Sequence, residues 1–539
     1  MSYRLSRRTF LRHSLAGAVS LGVFGGDFKN WVRRTDYSPA LVIGSGFGGA
    51  VAALRLAQAG LPTLVLERGR RWPITPAGTT FATVEKPDGR AAWLSTMTAL
   101  APLEQQFGLT PPVIDIYTGV LESLSGDGIT VLAGAGVGGG SLIYTAITVA
   151  PRRERFTRVF PPAVDFETMV NVYYPRVRSI LQPEPIPADL LATDYYRSTR
   201  VNLEQAQRAG LATRIVDLAV DWNVVREEIR GTKVPSLIAG QAYYGVNSGA
   251  KKSLDQNYLR LAEATGHVQI LPLHEVVSLQ EIRPLHLYLV SARQRNEQGE
   301  VVARRHIVCR HLFLAAGSAG TSQLLVKSRA TGGLPRLSPR VGMTWGNNGD
   351  FVVVRDGLPE TNPGTGGPAG HFLAEDLDNP FGPSSLIEVV TPRHLALEPG
   401  MATYVGMGLP APVGQWRYEP ATDQATLHWR LDDPGLAAAL ASAQQLLSTL
   451  NARNTTPTSH PRTGLYTPLL CAHPLGGAVM GAVCDTYGRV NGHSGLYVVD
   501  GALIPGTTGL ANPSLTIAAL AERSLERLLA DELSRGTVR

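Results

Sequence analysis

Apolar positions in this chain come in short runs broken by glycine, and the most ordered of these lies near the start. Ala40–Ile43 is an apolar run of strand length, and Gly44-Ser45-Gly46-Phe47-Gly48-Gly49 follows it directly. Ala50–Ala59 then has a helical pattern closed by Gly60, and Thr63–Leu66 is a second apolar run ending on Glu67. Strand, glycine turn, helix, strand and terminal acid, in that order, predict a βαβ unit. Related patterns return twice. Leu312–Leu325 reads as strand, glycine turn and helix, and Leu496–Leu529 reads as strand, Asp500-Gly501 turn, loop and long terminal helix. The run "SSLIEVVTP", Ser384–Pro392, is different. As a strand it places Leu386, Glu388 and Val390 on one face, and Ile387 and Val389 on the other. Both faces are apolar, which suits a strand buried on both sides. Its carboxylate is then either at an exposed edge or ion-paired, or it is kept from water for a use.

The βαβ unit carries its own chemistry. Gly44 suits the tight turn, Gly46 lets backbone approach a pyrophosphate, and Gly49 lets helix pack on strand. The helix N-terminus offers free N–H groups to phosphates. Glu67 stands where a carboxylate grips a ribose hydroxyl, and it disfavours the 2′-phosphate of NADP, which leaves NAD or FAD. A second cluster, "GAGVGGGSLIYTAI", bares backbone at Gly138, Gly139 and Gly140 just before Ser141 and favours the larger ligand, FAD. Nucleotide-binding pieces at the start, middle and end predict a discontinuous layout.

Other features narrow the class. Ordinary proportions, 44% apolar and 17% charged over 539 residues, exclude a fibre or a disordered chain. The net charge of +6 comes without a basic patch interleaved with aromatics, so no nucleic-acid partner is expected. The three cysteines, Cys309, Cys471 and Cys484, make no disulfide framework; a Cys471–Cys484 bridge is open, with buried thiols preferred. They also lack a metal-ligand spacing, so no metal is expected. At the N-terminus "SRRTFLR" precedes a short Gly/Ala-rich apolar stretch. That reads as a twin-arginine export signal over 1–37, implying the twin-arginine translocase as partner and a periplasmic or secreted product, with an amphipathic helix of the mature protein as the alternative.

Several stretches carry a family resemblance: "VIGSGFGGAVAALRLAQAG", "AGVGGGSLIY", "KKSLDQNYL", "WGNNGD", "HPLGG" and "YGRVNGHSGLYVVDGALIPG". Through them the chain resembles the glucose–methanol–choline oxidoreductases, and within these the bacterial cholesterol oxidases. The resemblance implies an α/β fold: a Rossmann-type domain holding FAD non-covalently, and a discontinuous α+β substrate domain on a large, mostly antiparallel sheet. The expected division is 38–72, 251–345 and 465–535 for FAD, with 73–250 and 346–464 for substrate. By motif, the resemblance makes His473, Asn512 and Glu388 the catalytic set, with Glu388 as a base. It places Asp500 and Gly501 near the ribityl chain, Gly139 and Gly140 at the isoalloxazine, and the Val277 backbone at the adenine end. Tyr144, Ala472 and Ser514 depart from the residues usual at their positions.

The implied activity is oxidation of a sterol 3β-hydroxyl to the ketone, with O2 as acceptor and H2O2 as product. Glu388 would then move a proton from C4 to C6, giving the conjugated 4-ene-3-ketone. Such a carboxylate has to be buried among apolar walls so that its pKa rises toward neutrality. Two alternatives are a dehydrogenase of the same family that passes electrons to a quinone or other carrier, and a non-catalytic flavin- and sterol-binding protein. An insoluble substrate also implies transient contact with a membrane surface through apolar loops in 73–110 or 356–385. The Gly/Pro-rich Leu358–Gly370 is either a lid or a plain surface loop.

Overall fold

The computed structural model describes residues 35–533 apart from 369 and 466–468, so the export signal expected over 1–37 lies almost wholly outside the described residues. The predicted βαβ unit forms as strand Thr35–Ile43, helix Phe47–Gln58 and strand Thr63–Leu66. These belong to a seven-stranded sheet with Val268–Leu271 at one edge and Val301–Leu314 beyond the first strand. The latter pairs in parallel with Leu496–Val498 and antiparallel with the hairpin His274–Arg295. Register aligns the strand ends: Ile43 lies opposite both Leu66 and Leu314, and Val498 opposite Leu314. Gly44, Glu67, Ala315 and Val499 therefore emerge together, and the crevice at the carboxyl ends of parallel strands is where such sheets bind ligands.

A second sheet has six strands, all antiparallel, in the order Arg462–Leu465, Asp350–Asp356, Ala402–Met407, Ser384–Val389, Phe372–Asp376 and Ala212–Ile215. Its two faces meet different partners. Phe351, Val353, Leu386 and Tyr404 pack with Leu446, Leu447 and Leu450 of helix Pro434–Asn454. Ile387, Leu373 and Met407 join the main core, which also contains the parallel sheet. Two apolar faces on one strand thus reflect two cores, which explains why "SSLIEV" lacks a polar side.

All three cysteines are buried, unpaired thiols. The Leu358–Gly370 segment is tied down rather than free. Gly367 N–H donates to Leu237 O at 2.7 Å, the Thr365 hydroxyl donates to Tyr195 O at 3.0 Å, and the Thr361 hydroxyl is buried against Met401 O. Among the described residues no helix is long and apolar enough to cross a membrane.

Candidate active site

The glycine turn is built around close backbone contacts. Gly44 has φ +93°, a left-handed conformation that suits glycine, and a Cβ on Gly48 would stand 1.9 Å from the Val499 carbonyl. By contrast, a Cβ on Gly46 or Gly140 would meet nothing within 4 Å. These two bare positions face open space at the strand ends, the cradle that a dinucleotide cofactor requires. Phe47 begins the helix and stacks edge-on against Tyr144, with ring centroids 5.4 Å apart.

Ser45 joins the two glycine clusters. Its hydroxyl donates to Glu67 Oε2 at 2.7 Å and accepts the Gly138 N–H at 3.0 Å. Glu67 also accepts the Ser45 and Gly69 N–H groups at 3.0 and 2.9 Å, and burial raises its pKa against these bonds. The carboxylate expected at a ribose is thus anchored first by the protein itself. Ser141 closes the second cluster, its hydroxyl donating to Gly138 O at 2.7 Å and accepting Leu254 N–H at 3.0 Å. A Cβ on Gly139 would lie 2.7 Å from Gly46 Cα, so the two loops touch.

Val277 falls at a β-bulge, between Val276, opposite Ala292, and Ser278, opposite Ser291. A bulged residue keeps its backbone polar groups out of the ladder, which suits a ligand contact. Asp500 follows the strand Leu496–Val498, accepts Ala502 N–H at 2.9 Å and the Thr321 hydroxyl at 2.5 Å, and is pushed up to about 6 by burial. Gly501 O accepts Gly476 N–H at 2.9 Å, which fastens the HPLGG segment to the same strand end.

His473 and Asn512 are brought together: Asn512 Nδ2 lies 3.0 Å from His473 Nε2. Behind them stands a residue that the sequence reading passed over. Asp350, the last residue of "WGNNGD", is fully buried; its Oδ1 lies 2.7 Å from His473 Nδ1, and its Oδ2 accepts the Ala472 and His473 N–H groups at 2.8 and 2.9 Å. Asn348, from the same motif, holds the other side. Its Oδ1 accepts Thr508 N–H at 2.9 Å and its Nδ2 donates to Ala511 O at 3.0 Å, fixing the turn that delivers Asn512. The motif was visible as a family stretch, but nothing local says which of its polar side chains face inward. Ser514 donates to Ile147 O at 2.9 Å, and Tyr144 keeps a buried hydroxyl without a protein partner.

Glu388 does not join this group. It is buried as expected, and burial pushes its carboxyl up to about 7 against the pull of Ser198, Thr199 and Asn202. But it stands opposite Tyr404 in the sheet, on the face that packs against the helices. There it accepts from Asn202 Nδ2 at 3.4 Å; the Tyr404 hydroxyl donates to Asn202 Oδ1 and accepts from Arg355 Nη1 at 3.1 Å. The neighbouring Ile387 points the other way, close enough to Ile147 that a Cβ on Gly370 would touch both. Placement of Glu388 beside His473 is thus corrected: alternation sends Ile387 to the His473 side and Glu388 behind the sheet.

Comparison with known proteins agrees with this architecture. Residues 40–117 match an FAD binding domain and residues 415–521 match the GMC oxidoreductase C-terminal region. Both stretches are thus similar to FAD-dependent oxidoreductases of the GMC type. Among curated proteins it resembles the cholesterol oxidase of Mycobacterium tuberculosis, 27% identical with 91% of each chain covered. It also resembles that of Acinetobacter baumannii, 24% identical over 93% of this chain and 95% of the relative. Solved structures of the same fold include pyridoxine 4-oxidase from Mesorbium loti, with TM-score 0.61 and 14% identity over 92% of this chain and all of that one. Formate oxidase from Aspergillus oryzae superposes with TM-score 0.59 and 13% identity, covering 93% and 99%.

Proposed function

We propose that the protein oxidises the 3β-hydroxyl of a sterol to the ketone, with O2 as acceptor and H2O2 as product. The observation that carries the reading is the His473–Asn512 pair, held by Asp350 and Asn348 on turns fastened to the glycine cradle. Bound FAD supplies the acceptor for hydride. Gly46 and Gly140 would line its bed, Glu67 and Asp500 its sugar and ribityl groups, and the Val277 backbone its adenine end. His473 and Asn512 handle the hydroxyl proton. The free acceptor is Asn512 Oδ1, buried with no partner within the protein, while His473 Nε2 lies 3.0 Å from Asn512 Nδ2. The resemblance to cholesterol oxidases supports a sterol as the alcohol.

The reading stops at the 5-ene-3-ketone, because Glu388 stands on the sheet face opposite to that of Asp350 and His473. Export by the twin-arginine route and brief docking on a sterol-bearing membrane belong to the same proposal. They are supported by the N-terminal residues and by the exposed Met97, Val113 and Ile116.

Anaerobic mixing of the holoenzyme with a panel of 3β-hydroxysteroids tests it. Flavin bleaching is expected, with a product lacking conjugated-enone absorbance. Bleaching by other bulky alcohols but by no sterol would reject the substrate class.

A further inference from the structure

We infer that Asp350 is a positioning residue that sets the tautomer of His473, and with it the direction of every hydrogen bond in the site. This rests on the alcohol-oxidation reading above. Asp350 makes three contacts, and their chemistry is unequal. The Ala472 and His473 N–H groups can only donate, so Oδ2, at 2.8 and 2.9 Å, can only accept. Oδ1 faces His473 Nδ1 at 2.7 Å. A carboxylate accepts there too, so the imidazole proton sits on Nδ1 and the lone pair on Nε2.

The consequence runs outward. Asn512 Nδ2 lies 3.0 Å from Nε2 and donates to it. The Asn512 amide is thereby turned so that Oδ1 points away from His473, and this oxygen is buried with no protein partner. The array Asp350, His473, Asn512 therefore ends in an acceptor. An alcohol arriving at the site donates its O–H to this acceptor and is oriented by it, and the proton that leaves is taken by His473 Nε2, the basic nitrogen of the array. The side chain of Asp350 has no solvent exposure and that of His473 only 15%, so water does not scramble the order.

An amide in place of this carboxylate would reverse the array. In Asp350→Asn the two backbone N–H groups still need an acceptor, so the amide oxygen takes the place of Oδ2. The amide NH2 then faces Nδ1, which has to accept, and the proton moves to Nε2. Nε2–H in turn requires Asn512 to offer its oxygen, leaving the Asn512 NH2 aimed into the site. The site now presents donors only, in a protein of almost unchanged shape.

The test uses holoenzyme labelled with 15N-histidine, with His473 assigned by the signal missing in His473→Gln. Wild type is expected to show a protonated Nδ1 and a bare Nε2, and Asp350→Asn the reverse. In stopped flow, flavin reduction at saturating alcohol should fall roughly 10²–10⁴-fold in Asp350→Asn, with KM within about threefold and the bound-flavin spectrum unchanged. A protonated Nε2 in wild type overturns the inference without any variant, so misfolding of Asp350→Asn leaves it testable. An Asp350→Asn protein that keeps the Nδ1 proton, or reduces flavin at the wild-type rate, also overturns it. If no alcohol bleaches the wild-type flavin, the functional reading fails while the spectrum still decides the role of Asp350.

Discussion

The carboxylate of Glu388 and the imidazole of His473 lie on opposite sides of one six-stranded antiparallel sheet. His473 is bonded to Asp350 on the face turned to the glycine cradle, while Glu388 stands across from Tyr404 on the face turned to the helices. The His473–Asn512 pair and the buried glutamate are thereby separated by a layer of backbone.

Glu388→Gln should leave both the rate of flavin reduction and the product unchanged. High-performance chromatography of the ketone, with and without acid treatment, checks this. A shift from conjugated to unconjugated product in the variant would return Glu388 to the active site.

The same residue makes stability depend on pH. Its folded pKa of about 7 exceeds the ordinary 4.5, because burial disfavours the charged form. Between these values the folded protein holds a proton that the unfolded chain has lost. Stability is therefore full below about pH 4.5 and declines until about pH 7, by up to about 3 kcal/mol. Glu388→Gln is neutral throughout and should abolish this part of the decline, as urea unfolding at pH 5 and pH 8 would measure.

Two glycines within five residues of the end of the first strand should fail differently. Gly46→Val places its side chain in the open cradle, so the protein should fold with near-normal thermal stability yet purify without flavin absorbance. Gly48→Ala drives a methyl against the Val499 carbonyl, and its cost should appear as lost melting temperature with or without FAD.

Asn348→Ala removes the acceptor for Thr508 N–H and the donor to Ala511 O in a buried turn. Destabilisation of roughly 2–4 kcal/mol is expected from the orphaned groups. Denaturant titration reads that loss, and a slower flavin reduction at saturating alcohol reads the displaced Asn512.

His473→Ala should slow flavin reduction by roughly 10²–10⁴-fold while FAD stays bound, since no part of the glycine cradle depends on its ring. Single-turnover absorbance at the flavin band separates the two effects.

Local order explains what was legible along the chain. The run Ala40–Glu67 specifies strand, turn, helix and strand through spacings of a few residues, and the fold keeps all four. Family likeness marks His473, in "HPLGG", and Asn512 as members of one catalytic set, and the structure joins them at 3.0 Å. The strand over "SSLIEV" was readable from its apolar run, while burial of Glu388 followed only from the family resemblance, since its neighbours alone left exposure or ion pairing open. Its facing was not readable. A strand presents alternate residues to opposite sides with equal ease, and both sides of this one are apolar because both meet a core. Which core holds the cofactor depends on strands and helices from distant parts of the chain. Asp350 was hidden for the same reason. Its meaning lies in a contact across 123 residues, fixed when the antiparallel sheet closes over the parallel one. The sequence by itself determined the elements and the cofactor turn, since these follow from near neighbours. Only the tertiary structure decided which buried acid meets the histidine, since that choice belongs to the packing of two sheets.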